Sequence, residues 1–208
     1  MDTAGKVKER PILFSGPMVR AILDGKKHQT RRVIKPQPKE RLWPWEYEEL
    51  LARCPFKVGQ KLWVRETHYR WTGCDEAPSD WVRAPDGATY QSRGFVGIPE
   101  HDSLYEDACA AVIVPSIHMP RWASRITLEL TDVRAERLQD ITEEDAIAEG
   151  IDSWDGNGVG DGVRFHMGFE LPRLRRFSCL WDVLNAKTPW ASSPWVWALT
   201  FKPLEVQQ

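Results

Sequence analysis

The run Trp195-Val-Trp-Ala-Leu-Thr-Phe201 is apolar at both alternating sets of positions. A strand with two apolar faces belongs inside a sheet that is covered on each side, because a solvent-facing position would leave one set of side chains in water. The run is therefore apolar enough to be a central strand, with neighbouring strands supplied by the rest of the chain. Further strand signals are present. Ile126, Leu128 and Leu130 alternate with Thr127, Glu129 and Thr131, the period of a half-buried strand, and the pattern continues through Val133. Leu62-Trp-Val-Arg-Glu66 follows a turn signal at Gly59, and Pro11-Ile-Leu-Phe14 suits a strand start.

The helix signals are short. Ser15-Gly16-Pro17 reads as a helix entry, since proline at the first helical position loses no needed hydrogen bond. Met18, Val19, Ile22 and Leu23 then form one apolar stripe, and Gly25 is placed to end the helix in the left-handed conformation. Residues 45–51 suit another short helix. Thr142-Glu-Glu-Asp145 resembles a capping box opening a helix that Gly150 stops. Leu174, Phe177, Trp181 and Leu184 recur at three and four residues, with Arg173, Arg175 and Arg176 assigned to the opposite face.

Two stretches interrupt this order. Residues 67–120 are broken by prolines and glycines and anchored by aromatics, which predicts a large insertion with local hairpins. Residues 151–170 are Gly- and Asp-rich and read as a loop. Strands joined by short helices, without a βαβ alternation or a Gly-rich nucleotide fingerprint, predict an α+β fold: a small, mostly antiparallel barrel with helices packed around it.

Composition narrows the function classes. At 42% hydrophobic and 28% charged the chain is globular, and it contains no apolar run of membrane-spanning length. A cytoplasmic protein with no membrane partner is expected. Cys54, Cys74, Cys109 and Cys179 form no C-x-x-C pair, and the five histidines are dispersed, so reduced thiols, no metal and no cofactor are expected. Residues 1–40 carry ten Lys and Arg against four Asp and Glu, although the whole chain is at −2. Such a basic end suits a local phosphate-binding surface or a solvated charged face.

The chemistry concentrates in Gly25-Lys-Lys-His-Gln-Thr-Arg-Arg32, directly after the first helix. A lysine with a depressed pKa can take a hydroxyl proton, and burial or neighbouring cations such as Lys26, Arg31 and Arg32 would depress it. Residues 29–34 favour an extended conformation, which sets Thr30 and Arg32 on one side and Gln29 and Arg31 on the other.

The ordered set Gly25-x-Lys27-x-x-Thr30-x-Arg32, the Gly59 turn with its strand, the 126–133 strand leading to a short helix, and the terminal strand resembles the ASCH domain of the PUA-like superfamily. The wording Met18-Val-Arg-Ala-Ile-Leu-Asp-Gly25, Met119-Pro-Arg-Trp-Ala-Ser-Arg125 and Leu138-Gln-Asp-Ile-Thr-Glu-Glu-Asp-Ala146 looks closer still to ASCH proteins of phages and prophages. The resemblance spans residues 11–202 as one domain, with expansions at about 67–120 and 151–190. It implies a PUA-like barrel of five or six strands with a cleft lined by the octet.

One enzymatic branch that the resemblance points to is the ASCH amidohydrolases that remove the acyl group from N4-acetylcytidine and related N4-acylcytosines. Their Lys, Thr and Glu positions match Lys27, Thr30 and Glu149. The implied roles are a Thr30 nucleophile, Lys27 as proton acceptor and donor, and Glu149 orienting Lys27 or helping to protonate the leaving amine. Arg32, Lys26, Arg31 and Trp63 are the candidate substrate-binding residues. The acidic residue commonly found after the turn glycine is Gln60 here. The expected partner is a small modified nucleoside, with RNA as a second candidate and no obligate protein partner. Two alternatives stand beside the hydrolase. One is a non-catalytic RNA or modified-base reader stacking bases on Trp43, Trp45, Trp63, Trp71 or Trp122. The other is a ribonuclease using His28 or Lys27.

Overall fold

The computed structural model describes residues 9–39, 41–72, 81–83, 89–91, 110–153 and 172–206. Its main sheet has five strands in the order β1 (Arg10–Leu13), β3 (Lys61–Arg65), β8 (Ile126–Arg137), β9 (Trp195–Val206) and β2 (Gln29–Val33). Only β1 with β3 is parallel, and the other three pairings are antiparallel. The apolar run at 195–201 occupies β9, between β8 and β2, as its composition requires.

Both faces of β9 are covered. Trp195, Trp197, Leu199 and Phe201 join Ile12, Phe14, Val19, Ile22, Leu62 and Leu128 in one core. Val196 faces the other way, into a second core with Leu138, Ile141, Phe177, Leu180 and Trp181. The helices α1 (Gly16–Leu23) and α2 (Pro44–Ala52) contribute to the first core through Val19, Ile22 and the half-buried Tyr47 and Leu50. The second core lies beneath α3 (Glu143–Ala148) and α4 (Arg173–Leu184).

The expected closed barrel is not formed. The edge strands β1 and β2 do not pair with each other. Arg32 of β2 instead reaches across and donates from Nη2 to the Leu13 carbonyl of β1 at 2.7 Å. The two edges are linked there by a side chain and not by a backbone ladder. The smaller sheet, β6 (Thr89–Gln91), β5 (Trp81–Arg83), β4 (His68–Thr72) and β7 (Ala110–Val114), is wholly antiparallel and lies within the stretch read as hairpins.

Other differences have local causes. β8 continues to Arg137, four residues past Val133, because register shifts at Thr127/Leu128 and Leu130/Asp132 change the phase of the alternation. Arg176 is buried and not on the outer face of α4: it donates to the Ile151 carbonyl at 2.7 Å and pairs with Asp152 at 3.3 Å. The loop expected over 151–170 begins instead with a 3-10 turn at Ile151–Ser153, and its residues 154–170, like Cys74 and Cys109, lie outside the described residues; Cys54 and Cys179 are free thiols. Among the described residues, no helix is long and apolar enough to cross a membrane.

Candidate active site

The octet is held in place mainly by its backbone. Gly25 takes φ +68° and closes α1, after which the amides of Lys26 and Lys27 both donate to the Ala21 carbonyl at 2.8 and 2.9 Å. His28 then bridges two elements: its amide donates to the Ala148 carbonyl of α3 and its carbonyl accepts from the Phe201 amide of β9. From Gln29 onward the chain is β2, with Thr30 opposite Leu199 and Arg32 opposite Trp197.

At the other end of the site, α3 is opened by the expected capping box, in which the Asp145 amide donates to Thr142 Oγ1 at 3.1 Å. Gly150 stops it at φ +82°. Its left-handed geometry and lack of a side chain have a second consequence, because a Cβ there would stand 3.0 Å from Lys27 Cβ and 3.3 Å from Ala21 Cβ. Glycine lets the end of α3 close on the octet.

That approach brings Lys27 and Glu149 together across 122 residues of sequence. Lys27 Nζ donates to Glu149 Oε2 at 2.7 Å, the Glu149 carbonyl at 2.9 Å and the Gln29 carbonyl at 2.8 Å. The last of these belongs to the peptide joining Gln29 to Thr30. Burial pushes the Lys27 ammonium below its ordinary range against the upward pull of the Glu149 carboxylate, and Arg32 and Arg31 add to the fall.

Arg31 completes the polar wall. Nη1 donates to Glu149 Oε1 at 3.2 Å and Gln29 Oε1 at 2.7 Å, Nη2 to Asp145 Oδ2 at 2.9 Å, and Nε to Glu136 Oε1 at 2.9 Å. Both Glu149 oxygens therefore accept, one from an ammonium and one from a guanidinium. Gln29 Nε2 donates to Asp145 Oδ1 at 3.0 Å, and Arg134 pairs with the same oxygen at 3.3 Å. Burial opposes the Asp145 carboxylate, but the hydrogen bond from Gln29 and the charge of Arg31 hold its carboxyl below the usual range.

The strand alternation places the remaining members. Gln29 and Arg31 share the carboxylate-rich face, and Thr30 and Arg32 share the other. Arg32 lies over the Phe14 ring at 5.3 Å, and the Lys27 ammonium approaches the same ring at 5.7 Å. Lys27 and Arg32 thus converge on Phe14. Lys27 and Thr30 are each 1% exposed and Glu149 6%, so a substrate reaches them only when neighbouring residues move. Thr30 Oγ1 is not among the hydrogen-bond partners of Lys27.

The other sequence candidates lie elsewhere. Lys26 points to solvent beside Asp24 at 3.8 Å, and the His28 side chain is exposed. Trp63 is buried under the Arg65 guanidinium, 4.6 Å from its ring centroid. Gln29, Glu136 and Arg134 join the site without being candidates from their sequence pattern, and Asp145 does more than cap α3. Gln29 was findable, because it shares Arg31's strand face. Glu136 was hidden by the bulges in β8. Among the described residues no cluster of His, Cys, Asp and Glu is arranged to hold a metal ion.

No family model matches the sequence, and no curated protein matches it. The chain has some likeness to the crystal structure of an ASCH domain from Lactobacillus crispatus, at 12% identity and a TM-score of 0.38 over 95% of this chain and 80% of that one. It is similar at a TM-score of 0.41 and 10% identity to protein EF3133 from Enterococcus faecalis, a DUF984 protein, over 96% of this chain and 82% of that one.

Proposed function

We propose that the chain is an ASCH-type amidohydrolase that removes the acyl group from N4-acylcytidines, with Thr30 as nucleophile, Lys27 as proton carrier and Glu149 as the residue that orients Lys27. The observation that carries this reading is the buried 2.7 Å contact between Lys27 Nζ and Glu149 Oε2, made by two residues selected for their chemistry and far apart in sequence. A lysine held out of water, with its pKa lowered by burial, is suited to a proton acceptor's role.

The proposed reaction has two halves. Neutral Lys27 takes the proton of Thr30 Oγ1 as that oxygen attacks the acyl carbon, and the charge developing on the carbonyl oxygen is met by Arg32 or by backbone amides. The bond from carbon to N4 breaks, and the departing amine takes the proton from Lys27. Water then attacks the Thr30 ester and gives a proton to Lys27. The ester bond breaks, Thr30 Oγ1 recovers that proton, and the carboxylic acid leaves. Glu149 acts by position, accepting from Lys27 and Arg31 throughout.

Acetate release from N4-acetylcytidine tests the reading. The wild-type protein is expected to turn over, and Lys27→Met and Thr30→Val, which keep side-chain volume, are expected to lose at least about a hundredfold in rate. A wild-type rate in either folded variant would remove the substituted residue from the chemistry, and with it the proposed pair.

A further inference from the structure

A groove of about 680 Å³ lies beside β2 and α2, on the outer side of Arg32. That volume suits a ligand of nucleotide size, for which pockets of roughly 300–1,000 Å³ are usual. Its floor is apolar, from Ile34, Pro36, Leu42, Leu50 and Phe56, and its rim is charged. The face of α2 turned to it presents Glu46, Glu49 and Leu50, and Arg53 follows at the helix's C-cap.

The rim is positive on balance. Arg32, Lys35, Lys39 and Arg53 stand against Glu46 and Glu49. Both carboxylates are engaged, Glu46 by Lys39 at 3.2 Å and Glu49 by Arg53. Among the described residues, Lys35 has no ion-pair partner and Arg32 hydrogen-bonds only to the carbonyls of Arg31 and Leu13. Lys35 is thus left whole for an anion, and Arg32, which also lies over Phe14 and in the field of Glu149, only in part.

Beside this rim stand two tryptophans that the cores do not use. Trp43 and Trp45, between the lining residues Leu42 and Glu46, are 63% and 64% exposed. Their rings stack on each other at 5.2 Å with 4° between planes. A parallel pair offers flat outer faces to a further planar group. Aromatic platforms next to a groove with surplus positive charge are the means by which single strands are held without sequence readout, since every base has a π-face and every linkage a charge.

We propose that this groove and the Trp43–Trp45 pair form a binding site for a single-stranded oligonucleotide, with a base on the tryptophans and phosphates at Lys35 and Arg32. Because Arg32 also faces Phe14 beside Lys27, a strand in the groove runs toward the candidate active site. The site itself stands on the groove and the tryptophans alone; only the idea that the strand carries the acylated cytosine rests on the hydrolase reading.

The test is fluorescence anisotropy of the full chain with labelled oligouridylate and oligothymidylate of about ten nucleotides, a length matched to such grooves. Binding at low salt is expected for one or both, the better arm showing whether ribose matters. Trp43→Ala/Trp45→Ala should weaken it by about tenfold or more, since each stacked base is worth that much. Lys35→Glu, at an exposed position, should weaken binding and flatten its salt dependence by about one phosphate's worth. Circular dichroism of both variants should match wild type, because neither site belongs to a core. No binding by the wild-type protein at low salt overturns the proposal, as do wild-type affinity in the two variants or binding of an acidic peptide in place of the oligonucleotides. Oligonucleotide binding without acetate release would leave the groove standing and remove the hydrolase.

Discussion

On the two sides of Arg32 the protein holds ion pairs of similar length in opposite surroundings. Lys27 and Glu149 meet at 2.7 Å with side chains 0% and 6% exposed, whereas Lys39 and Glu46 meet at 3.2 Å with side chains 81% and 23% exposed. The inner pair is fixed by further donors and acceptors on every side, and each partner depends on the other for its solvation. Water solvates the Lys39 head with or without its partner. The same two residue types therefore make a buried, fixed pair in one place and an adjustable rim in the other.

The largest expected effect comes from breaking the inner set. Glu149→Ala leaves the Lys27 ammonium and the Arg31 guanidinium buried without their shared carboxylate, and denaturant titration should show a loss of about 3–5 kcal/mol. Gly150→Ala should follow at about 1–3 kcal/mol, from a left-handed backbone and a Cβ that meets Lys27 Cβ at 3.0 Å. Under the proposed hydrolase reading it should also lower acetate release, because the strain falls on the stem of Lys27.

A pH titration separates the sets further. The folded-state carboxyl of Asp145 is depressed, so its stabilisation is present at neutral pH and is lost as the pH falls through the carboxylate range. Asp145→Asn should flatten that acid limb of the stability curve. Lys27 gives a slope of the same sign in a window that ends at the ordinary lysine value, although its shift costs stability at neutral pH where that of Asp145 supplies it. Its folded pKa is lowered, so the unfolded chain binds more protons and stability rises as the pH climbs between the folded and the ordinary lysine values. The smallest effect is expected at the rim, where Lys39→Ala should leave the unfolding midpoint unchanged within error.

Much of this contrast was legible in the sequence, for a physical reason. The strands, the capping box and the glycine stops are local signals, and Gly25, Gly59 and Gly150 all have the positive φ that their positions required. The face-sharing of Thr30 with Arg32 and of Gln29 with Arg31 follows from the two-residue period alone. The open sheet was not legible, because closure depends on whether the edge strands β1 and β2 meet, a long-range pairing that no local pattern encodes. Nor was the role of Asp145, whose capping signal concealed its contacts with Arg31 and Arg134. Arg176 was misplaced because a periodic stripe says which residues are apolar, not which cations find buried carbonyls.

The pH–rate profile for acetate release from N4-acetylcytidine, compared between the wild-type protein and Glu149→Gln, bears most directly on the inner pair. Glu149 is what holds the Lys27 pKa up against burial. If neutral Lys27 accepts the Thr30 proton, the rising limb should shift to lower pH in the variant, with a lower plateau from the lost orientation. An unshifted limb in a folded, active variant, or no acetate release by the wild-type protein at any pH, would contradict the assignment.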